Sequence, residues 1–372
     1  MERCYDLRNG DRLVCTEKTA IFTFSGKRAV FSTGANGGGL RYDLTAVFNY
    51  SDCDRAGVCQ PMEGRTLLEH QIAVARKIGL DPDHTTGLDT AVNLDNMVVV
   101  TETWRDLWVT AAVSGGADVN GLCAGDPAAL TEAGGKPCPV RPGTINIFLV
   151  TGRTLSPGAM AELMLTATEA KTAVLRDWMQ GSSVSSSLAT GTGTDGVVVI
   201  CGAGGEGETT LLNGGKHFKI GELAALAVRK AAGEALFRQT GFCPQAQHSV
   251  CKRLGRFGIT AGSLSARCLA EFPGQGGRLG RTLERMDRDS FLVTAVSLYV
   301  HLIDQCASGM LTKYESEDWA RHLLAEIQRH YRCRIPIDES VPLPEQMEQL
   351  LYGLLVANLR EQSRLYDIEA SN

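Results

Sequence analysis

Alternating and periodic apolar positions divide the first two thirds of the chain into short strands and three helices. Glycines, among them those at 37–39, separate the early strands. The strand-like runs cover residues 21–24, 29–32, 44–48, 97–103, 107–113 and 145–150, and the helical runs cover 65–78, 156–178 and 221–239. The second helix begins with Ser156 as N-cap and Pro157 at the first helical position. Adjacent strands and irregularly placed helices predict an α+β fold with a mixed, mainly antiparallel sheet layered with helices.

The composition changes after Gly241. Between Gly241 and Arg281 six basic residues stand against one acidic residue, with glycines throughout, which is typical of a connector. Helical patterns follow at 282–306, at 315–331 with Ser316 as N-cap, and at 344–366 with an apolar stripe from Met347 to Leu359. The expected organisation is a main domain over residues 1–240, a glycine-rich basic connector over 241–281, and an all-α helical module over 282–372. The stripe makes this module a candidate for homo-oligomerisation.

Length and charge narrow the class of protein. With 372 residues, 44% hydrophobic and 21% charged, the chain has the composition of a soluble globular protein. A net charge of −5 gives no general attraction to nucleic acid or to anionic lipid, and so favours small-molecule partners. The first residues lack the apolar core of a signal peptide, and the apolar run near 291–303 is interrupted and short. We therefore expect a cytoplasmic protein without a membrane span.

The twelve cysteines are scattered singly, which favours reduced thiols. Neither Cys53 with Cys59 nor Cys243 with Cys251 has the spacing of a common zinc site, and no metal is predicted. Six histidines are interpreted as surface or structural residues: His70, His84, His248, His301, His322 and His330.

Hydroxyls, glycines and a carboxylate crowd the segment Thr190, Gly191, Thr192, Gly193, Thr194 and Asp195, which lies between a serine run and the β-branched strand 197–200. Its glycines permit positive φ or close approach of a bound group, and its hydroxyls can bind a polar ligand. A turn that bonds its own backbone is an equally good interpretation. Other polar groups lie near the ends of elements or on a helix that is otherwise apolar: Asn120, Asp126, Thr144, Asn146, Thr166, Thr168, Glu169, Lys171, Lys216, His217 and Glu222. For the helical ones, the alternative is a solvated stripe.

Taken in order, these segments resemble the adenosylcobinamide amidohydrolase family over about residues 20–240. The resemblance is carried by six blocks: glycines 37–39, Asn120 with 124–127, 143–146, 155–156 leading to 166–171, 190–195, and 215–217 with 221–223. It implies hydrolysis of the amide that joins aminopropanol to the corrin ring, which gives adenosylcobyric acid and 1-amino-2-propanol in cobamide salvage. Some relatives also accept complete cobamides. A non-catalytic corrinoid-binding or delivery protein, and an amidase acting on another substrate, remain alternatives.

Amide hydrolysis requires a base, an oxyanion stabiliser and an acid for the leaving amine. As a hypothesis, Glu169 or His217 is the base, Lys171 or His217 is the proton donor, and Asp195 orients or stabilises one of them. Substrate contacts are assigned to Thr190, Gly191, Thr192, Gly193, Thr194, Asn120, Asp126, Thr144, Asn146, Thr168 and Glu222. No cofactor is expected, because the corrinoid substrate itself carries the cobalt.

Two further possibilities stay open for this chemistry. Cys123 is either a thiol nucleophile or, as we prefer, a small buried filler. Metal assistance by His217 with Asp195, Glu169 or Glu222 is conceivable, although no spacing typical of a metal site supports it.

Overall fold

A computed structural model describes residues 2–54, 58–128, 143–205, 207 and 209–370. The chain divides into two compact units, Met1–Cys243 and Pro244–Asn372.

The first unit contains all thirteen strands of the described residues and three long helices. The strands are β1 (Arg3–Asp6), β2 (Arg12–Cys15), β3 (Thr19–Thr23), β4 (Arg28–Ser32), β5 (Gly39–Arg41), β6 (Ala46–Ser51), β7 (Thr85–Thr90), β8 (Val98–Trp104), β9 (Leu107–Gly115), β10 (Gly121–Leu122), β11 (Ile145–Thr154), β12 (Gly191–Thr192) and β13 (Gly196–Gly202). The helices are α1 (Leu67–Lys77), α2 (Pro157–Asp177) and α3 (Lys219–Thr240), with short 3-10 turns at Pro82–His84 and Leu94–Asn96.

Most strands belong to two mixed sheets. The first sheet has the order β1-β2-β3-β6-β7, and the second has the order β5-β4-β13-β11-β9-β8. Each sheet contains one parallel pair, β6 with β7 and β11 with β13, and its other pairs are antiparallel. Helix α1 connects the first parallel pair and α2 connects the second, because parallel neighbours need a crossover connection. Strands β10 and β12 form a separate small ribbon.

The second sheet is covered on both faces, and β13 shows how its sequence achieves this. Val197, Val199 and Cys201 belong to the core formed with α2 and α3. Val198 and Ile200, which alternate with them, belong to the core shared with the first sheet. Helix α1 packs on the opposite face of the first sheet through Val74 and Ala75, which contact Phe48. The unit is therefore built as helix, sheet, sheet and helix layers.

The α+β class with mixed sheets is confirmed, and the all-helical C-terminal part with it. The prediction of one sheet was too simple, because two sheets stack in this unit. Strand β7 was missed because its sequence, Thr-Thr-Gly-Leu-Asp-Thr, has no apolar alternation. Strands β1 and β2 were also missed.

The second unit consists of helices α4 (Pro244–Gln247), α5 (Val250–Leu254), α6 (Ala261–Glu271), α7 (Gly276–Asp287), α8 (Ser290–Ala307), α9 (Lys313–His330) and α10 (Leu343–Ala370), with a 3-10 turn at Gly255–Phe257. The segment expected to be a connector is largely helical instead, because apolar residues such as Leu254, Leu264 and Leu279 enter the core of this unit. The helix expected over 282–306 is interrupted where Asp289 caps α8. Ser316 is not an N-cap: Thr312 caps α9 in a capping box with Glu315.

Helix α8 contains the apolar run near 291–303 and extends it at both ends. By length and composition alone it is sufficient to cross a membrane. Its residues Leu292, Val296 and Tyr299 are fully buried in the core of the second unit, as expected for the apolar face of a helix in a helical domain. The apolar stripe of α10 lies in the same core, with Met347, Leu350 and Leu355 buried. Homo-oligomerisation through these helices remains a prediction.

One cysteine pair differs from the expectation of reduced thiols. Cys53 and Cys59 are joined by a disulfide across a six-residue separation. Among the other described cysteines, burial raises the pKa of the Cys201 thiol to about 11, which keeps it protonated and unreactive.

Candidate active site

A cleft of about 420 Å³ opens at one end of the two stacked sheets of the first unit. It lies where the ends of β6 and β7 in one sheet meet the beginnings of β11 and β13 in the other. Side chains of polar and small residues dominate the lining, which consists of Thr33, Gly34, Ala35, Asp52, Leu67, Gln71, Leu88, Asp89, Thr90, Ala91, Gly143, Thr144, Asn146, Thr194, Asp195 and Gly196.

Hydrogen bonds between the two sheets hold their strands together at the end where the cleft opens. The Asn146 amide donates to Asn49 Oδ1 at 2.9 Å and to the backbone oxygen of Asp89 at 3.0 Å. The Asn49 amide donates in turn to Ser114 Oγ at 2.9 Å. Asn146 is 1% exposed, and its Oδ1 has no hydrogen-bond partner. A buried acceptor without a partner costs free energy, so Asn146 offers the cleft an oxygen ready to accept a hydrogen bond.

A histidine and two carboxylates meet at the first sheet's side of the cleft. Asp52 follows β6, Asp89 lies on β7 opposite Tyr50 in the register, and His70 lies on α1. His70 Nε2 is 2.9 Å from Asp52 Oδ1 and 3.7 Å from Asp89 Oδ1. The parallel pairing of β6 and β7 brings both carboxylates to the same edge, and the crossover helix places the imidazole between them.

The protonation of His70 follows from its other nitrogen. Nδ1 accepts the backbone N–H of Glu63 at 2.9 Å, so it carries no proton, and in the neutral ring the proton is on Nε2. Nε2–H therefore donates to Asp52. His70 is 2% exposed and is a structural donor within this group, not the surface residue that the sequence suggested as one option.

Both carboxyl groups bind protons more tightly than usual. Burial raises the pKa of Asp89 to about 6; the hydrogen bond from Gln71 opposes this rise, and the negative charge of Asp52 adds to it. Burial also raises the pKa of Asp52, against the effect of His70. A carboxyl group with a pKa near neutrality in a cleft is typical of a group that exchanges protons during catalysis.

Asp52, His70 and Asp89 also form a group whose donor atoms lie within 4.8 Å of one another, as in a metal site. A metal bound at His70 Nε2 would require a lone pair on that nitrogen and a proton on Nδ1. The proton on Nδ1 would then point at the N–H of Glu63. The hydrogen bonding of His70 thus favours proton exchange between the carboxylates over metal ligation.

A buried ion pair lies beneath the segment 190–195. Lys171 on α2 pairs with Asp195 Oδ2, and their side chains are 7% and 14% exposed. Asp195 also accepts the backbone N–H of Ile145 at 2.9 Å and the N–H of Thr192 at 3.0 Å. A Cβ on Gly191 would lie 2.3 Å from Asp195 Oδ2 and 2.6 Å from Lys171 Nζ, so this glycine is required for close approach. The carboxylate of Asp195 is therefore engaged by its own loop and by Lys171.

Four of the residues expected from the sequence line the cleft, namely Thr144, Asn146, Thr194 and Asp195. The hydroxyls of Thr144 and Thr194 are 2.6 Å apart. Other candidates hold neighbouring loops. The Thr190 hydroxyl accepts the N–H of Ala124, Asn120 donates to the Gly143 oxygen, and Asp126 accepts from Ser182 and from the N–H of Cys123. Gly193 is exposed next to Thr194, and Cys123 is half-buried rather than a fully buried filler.

The helical candidates other than Lys171 lie elsewhere, on the surface. Glu169 pairs with Lys216, and these side chains are 55% and 64% exposed. His217 is exposed, Glu222 pairs with Lys219, and the Thr168 hydroxyl bonds the Met164 oxygen of its own helix. None of these residues belongs to the lining of the cleft. Their interpretation as a solvated stripe fits the structure better than a role as base.

Asp52, His70, Gln71 and Asp89 were not identified from the sequence. Asp52 follows a predicted strand, which is the signal that drew attention to Asn120 and Asp126. Asp89 lies in a strand without apolar alternation, and nothing in the sequence places α1 against it.

Comparison with known proteins agrees with the resemblance drawn from the six blocks. A family model described as adenosylcobinamide amidohydrolase matches residues 3–244. An uncharacterized protein of Methanocaldococcus jannaschii is 34% identical over 242 residues, which is 62% of this chain and 89% of that protein. The matched part coincides with the unit that contains the cleft. The chain therefore belongs to the adenosylcobinamide amidohydrolase family.

Proposed function

We propose that the chain hydrolyses the amide between the corrin ring and the aminopropanol arm of adenosylcobinamide, giving adenosylcobyric acid and 1-amino-2-propanol. The observation that carries this proposal is the convergence on one cleft of two family-matching segments, 143–146 and 190–195, with the two partly buried carboxyl groups of Asp52 and Asp89. Amide hydrolysis needs a group that exchanges protons near neutral pH, and Asp89 has this property.

The size of the cleft supports binding of an arm rather than of the whole corrinoid. A volume of about 420 Å³ is in the lower part of the usual range for ligand pockets. It suits an amide with its aminopropanol substituent, while the broad ring stays outside. Asn146 Oδ1 supplies an acceptor for an N–H or O–H of that arm.

An apolar segment beside the cleft supports contact with the ring. Leu67 lines the cleft and is 47% exposed, and Val58 and Met62 on the preceding segment are 57% and 53% exposed. The N–H of Gln60, between Val58 and Met62, donates to the backbone oxygen of Asp52, so this segment runs next to the residue that carries one of the two carboxylates. Exposed apolar side chains next to a pocket are typical of a ligand-binding surface.

The direct test is incubation of the full chain with adenosylcobinamide and detection of the products by mass spectrometry. We expect adenosylcobyric acid and aminopropanol in equal amounts. Tight binding without product would contradict the proposal and favour a corrinoid-binding or delivery protein. Neither binding nor turnover would point to an amidase for another substrate.

Removal of metal ions is expected to leave turnover unchanged. The reason is the orientation of His70, whose Nε2 carries a proton and so cannot ligate a metal in the neutral ring. The measurement compares rates before and after dialysis against a chelator, together with the metal content of the protein. A loss of rate that added Zn²⁺ or another divalent ion restores would show that the carboxylates and His70 bind a metal.

A further inference from the structure

We propose that the carboxylate of Asp89 removes the proton from the attacking water in this cleft, with Asp52 as its charged neighbour and His70 as the residue that holds Asp52. This assignment rests on the proposed amide hydrolysis and names the residues that perform it. It replaces Glu169 and His217, which lie on the exposed surface, as the candidate base.

The hydrogen bonding of Asp89 leaves one oxygen for this role. Oδ2 accepts the Gln71 amide at 2.6 Å, which fixes the orientation of the carboxylate. Oδ1 is buried and has no hydrogen-bond partner, although the side chain borders the cleft. Asp195, the carboxylate that lines the cleft from the side of the second sheet, is engaged by Lys171 and by two backbone N–H groups. Asp89 is thus better prepared than Asp195 to accept a proton.

Asp52 and His70 act through Asp89. His70 donates Nε2–H to Asp52, which favours the ionised form of Asp52, and Asp52 in turn disfavours a second negative charge on Asp89. Two carboxyl groups at this separation titrate as a pair. We therefore treat Asp52 and His70 as positioning residues and Asp89 as the catalytic residue.

A separate observation indicates that a ligand enters the same space. Asn146 lines the cleft and is only 1% exposed. Its Oδ1 has no hydrogen-bond partner. Both amide hydrogens of Asn146 are used by Asn49 and by the Asp89 backbone, so its oxygen is held in place. A substrate N–H or O–H would satisfy it.

The step balances without a further reactant. The water oxygen bonds to the amide carbon, its proton passes to Asp89, and the carbonyl electron pair moves to oxygen. When the tetrahedral intermediate collapses, the C–N bond breaks and the amine nitrogen takes the proton from Asp89. The products are a carboxylic acid and an amine, and Asp89 returns to its ionised form.

The central experiment is Asp89→Asn, which keeps the shape of the side chain and removes its basicity. We expect kcat to fall by about 10²–10⁴-fold while the Kd for adenosylcobinamide changes little, since the base acts in the chemical step. The matched control is Asp106→Asn, at a 70% exposed aspartate in the turn between β8 and β9. It should retain wild-type turnover. Thermal melting of each variant verifies folding.

The pH profile tests Asp52 and His70 by a readout that loss of structure alone would not move. Asp52→Asn removes the like charge, so the acid limb of kcat/KM should move to lower pH, by roughly 0.5–1 unit. His70→Leu removes the donor that keeps Asp52 ionised, so Asp52 carries less negative charge and the limb should also move to lower pH. His70→Gln, which can still donate, should stay closer to wild type. The charged groups that surround the pair are Lys18 before β3, Lys77 on α1, and Asp195 with Lys171.

The outcomes separate this inference from the proposed function. If the wild type forms no adenosylcobyric acid, the proposed function fails. If the wild type forms it and folded Asp89→Asn does so at a similar rate, the assignment of Asp89 is wrong. A limb that stays at the wild-type pH in folded Asp52→Asn, or that moves to higher pH in folded His70→Leu, would overturn the roles given to these two residues.

Discussion

Replacing Lys171 by methionine is expected to lower the free energy of unfolding by about 3 kcal/mol, because it leaves the largely buried carboxylate of Asp195 without its charged partner. Methionine fills most of the lysine volume, so the effect isolates the lost charge. Asp195 keeps hydrogen bonds from Ile145 and Thr192, which limits the loss. The measurement is chemical denaturation at neutral pH.

Lys216→Met is the matched control for this experiment. Lys216 also pairs with a carboxylate, that of Glu169 on α2, but both side chains are more than half exposed. Solvent screens such a pair, and we expect a loss of less than about 1 kcal/mol. Equal losses in the two variants would show that burial does not distinguish the pairs. If Lys171→Met leaves the free energy of unfolding unchanged, the carboxylate of Asp195 does not need this lysine to be tolerated in the fold.

Asp89→Asn is expected to make the protein more stable at neutral and alkaline pH while it removes turnover. The folded pKa of Asp89, about 6, is above its ordinary value of 3.8. Below both values the carboxyl group is protonated in the folded and in the unfolded state, so its ionisation does not change the free energy of unfolding. As pH rises through the folded value, the folded chain must carry a buried charge, and stability falls by up to about 3 kcal/mol. Asparagine has no such charge.

The measurement is the difference in free energy of unfolding between Asp89→Asn and wild type at about pH 4.5 and about pH 8. The difference should be smaller at the lower pH, which lies between the two pKa values, and largest at the higher one, which lies above both. Asp43→Asn provides a control of opposite sign, because the hydrogen bond from Arg41 lowers the pKa of Asp43 to about 2 in an exposed pair. A stability gain for Asp89→Asn that is the same at both pH values would contradict the assigned pKa.

A cost of this kind is expected at an active site. The fold places two carboxylates at one edge of a sheet and partly buries both, which destabilises their ionised forms. The Gln71 amide and the His70 Nε2–H offset part of this cost.

The side of the cleft formed by the second sheet was predictable from local sequence. Thr144 and Asn146 adjoin a β-branched and apolar strand, and Thr194 and Asp195 precede another, so their position at strand entrances follows from the pattern. The start of α2 was predictable for the same reason, since Ser156 and Pro157 form a local capping signal, and the structure shows Ser156 as N-cap.

The helical candidates show where local reasoning misleads. Glu169 and Lys171 are two positions apart on α2, and both were candidate catalytic residues, as base and as proton donor. In the structure Lys171 is 6% exposed and faces Asp195, whereas Glu169 faces solvent. Residues two apart on a helix point in different directions, and only the packing against the second sheet decides which direction is inward.

By itself, the sequence determined the α+β class, the long helices of the first unit, the family and the residues at the entrances of two strands, because each depends on spacing or on order along the chain. Tertiary structure alone decided that Asp52, His70 and Asp89 meet. They are separated by up to 37 positions, in a strand end, a helix and a strand without apolar alternation. Parallel pairing of β6 with β7 and the packing of α1 bring them together, and burial between the layers, which no local pattern encodes, changes the chemistry of the two carboxyl groups.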